Sequence, residues 1–516
     1  MVLRRRDWLV CAVPAAAALL VDGYQLGKLS LWRDEAYSLE SADRSVGQIF
    51  SLLHHTDVVN GTYYLLMHAV IAFLGPSATA LRLPSLVATV VAAAMTAAIG
   101  RLLARRAAWP VPWLTGLLAG LFFVAAAQVT MYAQDARAYA IVTMFVTIAT
   151  YLLVRATMVG TWRWWAGYAV AIALAGMFNL FSLLVVIAHG VTVLLLYVRR
   201  RGAAQPADSG LAAPVRLGRW LAAVSAAGIV LAPLAWLGFE QRGQISWLPK
   251  PDIHTVRVLF DSFAGSRPLV IPIAVLALCG LAAGVIPRSR SRAARRSPTL
   301  VTVAAPWLVL PPGILLAVSL VKPVYNIRYV LFCQPALALL CGAGLAWLGP
   351  AITAALPRSR MLAWLPSAGL VVLVGVMVIA PQRAIRLPAS RPDNLRYDAA
   401  IIAAHARPTD IAFYIPWGQR VLSMGYPGPF RKLRDIALAE SPVKSSTLLG
   451  TQVSLAILRH RLTHLSRVWL ITSVSQRALG AVTNPVQRAE LTLIHSMRLI
   501  GRWQAETDVL SLYGVR

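Results

Sequence analysis

The sequence predicts an α-helical polytopic membrane protein of about eleven spans, followed by a small extracytoplasmic α/β domain. Three observations carry that prediction. Of 516 residues, 58% are hydrophobic and only 13% charged, with a mean hydropathy of +0.65; a soluble domain carries about 25% charged residues. The apolar residues come in runs of membrane-spanning length, which takes about 20 residues. The excess of 49 Lys+Arg over 20 Asp+Glu, a net charge of +29, falls in short clusters between those runs. That placement marks cytoplasmic loops and not a nucleic-acid surface. The four cysteines, Cys11, Cys279, Cys333 and Cys341, lie in apolar stretches without CxxC spacing, which excludes a zinc module and a disulfide framework.

Spans are read near residues 8–27, 82–103, 110–128, 137–155, 164–178, 180–198, 219–239, 268–287, 299–321, 329–349 and 362–380. With this count, every basic cluster lands on one side: Arg4–Arg6, Arg105/Arg106, Arg155/Arg163, Arg199–Arg201 with Arg216 and Arg219, Arg288–Arg296, and Arg358/Arg360. The positive-inside rule then puts the N-terminus in the cytoplasm. A cleaved leader in place of the first span would leave this alternation one helix out of phase. The organisation expected is a transmembrane module over 1–380 in a multi-pass plasma (inner) membrane protein, and an extracytoplasmic domain over 381–516. Tyr63–Leu74 (YYLLMHAVIAFL) is apolar but too short to cross. It is read as an interfacial helix on the outer leaflet, inside a first external loop of about 28–81 whose length suggests function.

The acids are placed unevenly. Asp34, Glu35, Glu40, Asp43 and Asp57 crowd the first external loop, Asp135 is alone between Val58 and Ala207, and no acid occurs from Ser262 to Pro392. Glu240, Asp252 and Asp261 precede the eighth span, and Asp208 is read as cytoplasmic. Carboxylates at a membrane boundary are functional candidates by default. In LWRDEAYSLE, Asp34 and Glu35 are adjacent and so cannot face the same way. One can take a proton from a nucleophile while the other holds a hydroxyl or a metal ion; both are also ordinary first-turn acids of a helix. Arg33 beside them reads as a phosphate ligand or as the partner that keeps Asp34 ionised.

The second constellation, Met131–Tyr139, carries Gln134, Asp135, Arg137 and Tyr139 where a helix begins at the outer surface. It reads as a second carboxylate facing the first across a cleft, or as a helix cap with a local ion pair. The third, Lys322-Pro-Val-Tyr-Asn-Ile-Arg328-Tyr329, has two cations, two tyrosines and no acid within 60 residues. It suits a phosphate or anionic headgroup, with snorkelling at a helix end as the bland account. His189, deep in the sixth span, reads as a hydrogen-bonded packing residue. The chain has no phosphate loop, GxSxG, HExxH or dinucleotide fingerprint.

Taken in order, RDEAYSLE, YYLLMH, LRLPS, YAQDARAY and NIRYVLFCQPALALL resemble the GT-C membrane glycosyltransferases. The resemblance is to the family 39-like group, relatives of protein O-mannosyltransferases and lipid A aminoarabinose transferases, and more narrowly to actinobacterial mannosyltransferase-like members. It covers roughly residues 1–350. It implies inverting transfer of a sugar, mannose favoured, from a polyprenyl-phosphate donor to an extracytoplasmic glycan, lipid or protein acceptor in cell-wall or envelope synthesis. Nucleic acid has no part in it. The resemblance implies Asp34 as catalytic base, Glu35 at acceptor or metal contacts, Asp135 as second acid, and Arg328–Tyr329 holding donor phosphate, with Lys322 and Arg33 beside them. Asp57, Asn60, Tyr63, His68, Gln134, Arg137, Tyr139 and Tyr325 are expected to line the substrate pocket. Relatives carry His-Pro-Pro or His-Gly before the paired tyrosines, where this chain has Asn60-Gly61-Thr62. No cofactor is required; a divalent metal on Asp34, Glu35 and Asp135 stays open.

After Arg386 charge returns. Asp410–Pro416, Arg467–Thr472 and Asp508–Tyr513 read as strands, with helix near 480–500. Two alternatives remain: a polyprenyl-phosphate arabinosyltransferase, and a non-enzymatic lipid or sugar transporter. The transporter reading wants charges at the bilayer midplane and internal repeats, and neither stands out.

Overall fold

Each of the eleven apolar runs coincides with a helix in the computed structural model, which describes residues 8–201, 217–245, 247–285, 297–355, 365–462, 466–473, 482–505 and 507–515. Arg4–Arg6, Asp208, Arg216, Arg288–Arg296, Arg358 and Arg360 lie outside the described residues. The chain forms two compact units. One takes the residues up to Gln25 together with Arg82–Ile385; the other takes Leu26–Leu81 together with Arg386–Arg516. The first long loop is thus grouped with the residues that follow the last apolar helix.

The first unit is helical: α1 (Leu9–Gly23), then after α2 (Arg33–Ala42), α3 (Val46–His55) and α4 (Gly61–Leu74) of the other unit, α5 (Ala78–Arg106), α6 (Pro112–Ala125), α7 (Ala127–Ala133), α8 (Tyr139–Val159), α9 (Trp162–Phe178), α10 (Leu184–Arg201), α11 (Leu217–Glu240), α12 (Ile253–Ala264), α13 (Val270–Val285), α14 (Leu300–Val321), α15 (Gln334–Ala355) and α16 (Leu365–Ala384). Among the described residues seven helices are long and apolar enough to cross a bilayer, or eight if the bent pair α6–α7 is one span. The expected count of eleven adds α1, α9 and α16; α1 and α9, at 15 and 17 residues, fall short of that length, while α16 has 20 residues. At Ala126 the chain turns by 65° between α6 and α7, with no proline to announce it. Exposed Ile229, Trp236 and Ile271 form the kind of outer surface that a bilayer accepts and water does not. Inside, α13 and α15 meet backbone to backbone: a Cβ on Gly280 would strike the Leu340 carbonyl, and one on Gly344 the Leu276 carbonyl. Small residues allow such close approach where the hydrophobic effect between helices is weak.

The second unit joins α2, α3 and α4 to a C-terminal α/β part with α17 (Leu395–His405), α18 (Leu455–Arg461) and α19 (Pro485–His495). Its five-stranded sheet has the order β2-β1-β5-β7-β6, from β1 (Ile411–Ile415), β2 (Arg434–Asp435), β5 (Arg467–Ser473), β6 (Arg498–Gln504) and β7 (Asp508–Gly514). β1 runs parallel to β2 and β5, and β7 is antiparallel to β5 and β6. A separate two-stranded ribbon pairs β3 (Leu438–Glu440) with β4 (Thr451–Gln452). The three expected strands are present. The expected helix stops at His495, and residues 498–504 are strand β6, whose alternation was hidden by Arg498 and Arg502. The core gathers Phe413, Ile415, Val468, Leu470, Leu458 and Ile494.

Helix α4 is fourteen residues long and, as read from its length, is too short to span a bilayer.

Candidate functional site

In the helical unit, the second and third constellations come together. Residues 134–138 leave the bent α7 and enter α8; two elements pin them and a third holds α7 just before them. The Ser85 hydroxyl, from LRLPS on α5, donates to the carbonyls of Asp135 (2.7 Å) and Arg137 (3.2 Å). The Gln134 amide donates to the carbonyls of Asp22 and Tyr24, both at 2.8 Å. Gln382 of α16 donates to the Thr130 hydroxyl at 2.9 Å. Gln134 is therefore a positioning residue, buried and engaged with backbone. Asp135 is completely buried, while Arg137 is half-buried.

Beside this loop Tyr132, Tyr139, Tyr329 and Leu331 form one cluster. Tyr132 meets Tyr139 edge-on at 5.4 Å, Tyr139 lies 6.4 Å from Tyr329, and Phe181 stacks on Tyr329 at 4.8 Å. The Arg328 guanidinium lies over the Tyr139 ring at 5.7 Å, a cation–π contact that holds a charged group at a membrane boundary. Asn326 caps the turn, its side-chain oxygen accepting from the Arg328 amide at 3.3 Å. Tyr325 is buried, and burial pushes its hydroxyl up to about 12, so it stays protonated. Lys322 is exposed and lies over Phe239 at 5.9 Å, a ring that also carries Arg242 at 4.3 Å.

In the second unit, α2 resolves the adjacent acids. Neighbours on a helix are about 100° apart, so they diverge. Glu35 turns inward and is fully buried; its carboxylate accepts the Trp32 amide at 3.4 Å and so caps its own helix. Asp34 is half-buried. Tyr37, one turn along, has its hydroxyl pushed up to about 12, chiefly by burial, with Asp34, Asp57 and Asp393 adding to the shift and Arg33 opposing it. Asp34 and Asp57 therefore act on the same phenol. Asp57 adopts a left-handed φ of 63°, which Asp tolerates better than most residues. Its carboxylate accepts Asn60 Nδ2 at 2.7 Å and the Tyr64 hydroxyl. Tyr63 is fully buried, and His68 Nδ1 donates to the Ala42 carbonyl at 3.0 Å, which joins α4 to α2.

Arg33 has a different partner from the one expected. Its guanidinium holds Asp393 through both oxygens at 2.7–3.1 Å, with Asp508 at 3.4 Å, and its amide also donates to Asp393 at 3.0 Å. Two carboxylates meet the cation, and through them Arg33 tethers α2 to the chain after α16. Among the described residues, no group of three or more His, Cys, Asp or Glu could hold a metal ion.

Sequence reasoning passed over Asp22, Tyr37 and Asp393. Asp22 is fully buried near the end of α1 and accepts the Thr130 hydroxyl at 2.6 Å; an acid inside a predicted span was the available signal. Tyr37 was signalled by its i+3 spacing from Asp34. Nothing local in the sequence pairs Asp393 with Arg33. His189 accords with its reading, bonded to Thr150 Oγ1 at 3.0 Å and the Tyr168 hydroxyl at 3.1 Å.

No family model matches the chain, and no characterised protein matches it in sequence. Among solved structures it is similar to ArnT of Cupriavidus metallidurans bound to undecaprenyl phosphate, with a TM-score of 0.55 and 14% identity over 98% of each chain. The apo state of that protein gives 0.55 and 13% over 97% of each chain. The oligosaccharyltransferase AglB of Archaeoglobus fulgidus, in complex with an inhibitory peptide and a dolichol-phosphate, gives 0.42 and 11% over 91% of this chain and 69% of that one. The chain is a multi-pass membrane protein of the GT-C fold with a small C-terminal sheet domain.

Proposed function

We propose that this protein is a membrane glycosyltransferase that moves a sugar, mannose in the favoured reading, from a polyprenyl-phosphate donor to an acceptor hydroxyl outside the cytoplasmic membrane. The observation that carries the proposal is the meeting of two sequence-distant constellations, YAQDARAY and NIRY, where Arg328 is held over Tyr139 beside Tyr329. A cation braced by aromatic rings at a helix end suits a lipid phosphate. The fold likeness to ArnT, whose structure holds undecaprenyl phosphate, supports a lipid-linked donor. The arginine alternation supports a cytoplasmic N-terminus.

In this reading Asp34 is the base. The acceptor oxygen attacks the anomeric carbon as Asp34 takes its proton, and the bond to the phosphate oxygen breaks with its electron pair leaving on the lipid phosphate. Arg328 holds that growing charge. A single displacement inverts the anomeric centre. The half-exposed state of Asp34 favours it over Glu35, whose carboxylate caps its own helix. Asp135 and the loop around it shape the wall that carries Arg328.

The test uses purified protein in lipid nanodiscs with radiolabelled polyprenyl-phosphate sugars and a delipidated envelope fraction. Wild type is expected to transfer one sugar, and a folded Asp34→Asn to lose transfer by about 10²–10⁴-fold, the scale of general-base catalysis. Transfer that survives Asp34→Asn removes Asp34 as base. No transfer from any donor, with intact protein, favours transport over catalysis.

A further inference from the structure

The second unit holds a cleft of about 400 Å³ whose lining does not include Asp34, Asp57 or Tyr37. Its walls come from two segments that each directly follow a predicted span. Lys28 and Ser30 come a few residues after α1, and Arg386 and Arg391 come shortly after α16; Arg396, on the first turn of α17, completes the lining. Four cations thus line one cleft with a single carboxylate, Asp393, and that carboxylate is held by Arg33 and the Thr507 hydroxyl at 2.7–3.1 Å.

The cations are not equivalent. Arg396 is fixed in place, donating to the carbonyls of Lys28 (3.0 Å) and Gly27 (3.4 Å) while its amide donates to Ser30 Oγ at 2.9 Å. Arg391 is buried, Arg386 half-buried and Lys28 exposed. Arg391 is therefore set into the wall, while Lys28 and Arg396 are exposed. Leu387, 57% exposed, adds an apolar surface beside them. Basic groups next to exposed apolar surface, in chain just out of a span, are the chemistry of an anionic headgroup at the membrane interface. The volume lies in the range of small-molecule sites.

We propose that this cleft binds the phosphate of an anionic lipid headgroup, as a phosphate site whose lining does not include Arg328. The proposal rests on the membrane fold and the cleft, and does not depend on the transferase reading. A soluble phosphate shares the charge but lacks the acyl chains that would bring it to the interface.

The test is lipid retention by full-length protein in detergent, read by native mass spectrometry with phosphatidylglycerol against phosphatidylcholine of the same chains. Wild type and Arg328→Gln are both expected to retain phosphatidylglycerol preferentially. Lys28→Ala should lower that retention about fivefold, the effect of one lysine at an anionic surface, and Lys28→Glu by more than tenfold. Lys28 is exposed, so neither change threatens folding, and a thermal scan verifies it. Unchanged retention in a folded Lys28→Glu/Arg386→Gln protein overturns the site. Retention lost in Arg328→Gln alone reassigns the lipid to the other constellation and also overturns it. Complete displacement by millimolar inorganic phosphate overturns the lipid in favour of a soluble anion. Absence of sugar transfer leaves these readouts untouched, so the two proposals fail separately.

Discussion

The two units handle buried polarity in opposite ways. In the helical unit, hydroxyls bond back to their own helix: Thr89 to Ser85, Thr96 to Ala92, Thr143 to Tyr139, Thr147 to Thr143 and Ser319 to Leu315, at 2.6–2.9 Å. In the unit built around the sheet, charge meets charge: Arg33 with Asp393, Arg420 with Asp435, Arg467 with Asp410. A bilayer penalises an ion more than a neutral hydroxyl that finds a carbonyl on the previous turn. Water beside the second unit lets charges enter as pairs. Against each background the proposed working groups stand out. Arg328 is a cation held over a tyrosine ring, and Asp34 is half-exposed where Glu35, its neighbour, is capped away.

The largest effect expected from this contrast comes from breaking a charge pair. Asp393→Asn leaves Arg33, two-thirds buried, without its main carboxylate, while Asp393 itself is fully buried in the native protein. Losing one partner of a buried pair costs about 3–5 kcal/mol, and the partial exposure of Arg33 lowers that to about 2–3 kcal/mol. Hydrogen exchange should report it as faster exchange across α2, and Arg33→Leu/Asp393→Leu should recover part of the loss. A cost under about 0.5 kcal/mol would mean the tether does not hold α2, and the contrast between units would lose its main support.

How much of this was legible in the sequence differs between the units for the same reason. Spans, the short apolar helix α4 and the strands β1, β5 and β7 follow from local hydrophobic pattern, and so does the packing role of His189. The bend at Ala126 does not, because no proline or glycine marks it. The site was legible as residue types and as order along the chain. The meeting of Tyr139 with Arg328, 189 positions later, reflects helix packing that spacing cannot encode. The ion-pair partner of Arg33 was not legible because its nearest acid in sequence is Asp34, whereas Asp393 lies 360 residues away. Long-range ion pairs leave no local periodicity.

A second, smaller effect concerns charge alone. Glu490 on α19 is buried, and burial pushes its carboxyl up to about 8, with Asp435 adding to the shift and Arg420 opposing it. An unfolded glutamate titrates near 4.3. Between those values the folded protein holds a proton that the unfolded chain releases, so stability falls as pH rises from about 4.3 to about 8 and levels beyond. Glu490→Gln cannot ionise. It should match wild type at about pH 3.5 and show stronger hydrogen-exchange protection of β1 and β5 at pH 8.5, by about tenfold or more. Equal protection at both pH values would show that Glu490 is ionised in the folded state and paired, as its neighbours on the sheet are.

The smallest effect belongs to the helical unit and tests the other half of the contrast. Thr150 on α8 donates to the Val146 carbonyl at 2.9 Å and shares a 3.0 Å bond with His189 of α10, which in turn meets the Tyr168 hydroxyl of α9. Three helices thus share one neutral chain of hydrogen bonds. Polar contacts between membrane helices contribute about 0.6 kcal/mol on average, because the separated helices also find partners for those groups. Thr150→Val keeps the shape and removes the hydroxyl, leaving His189 with Tyr168. The expected cost is about 0.6 kcal/mol, and a Thr150→Val/Tyr168→Phe cycle should show coupling through His189. A cost of 3 kcal/mol or more, equal to that of Asp393→Asn, would mean that neutral bonds in the bundle carry as much as the ion pairs in the sheet unit. The two units would then differ in chemistry but not in how strongly single polar contacts hold them.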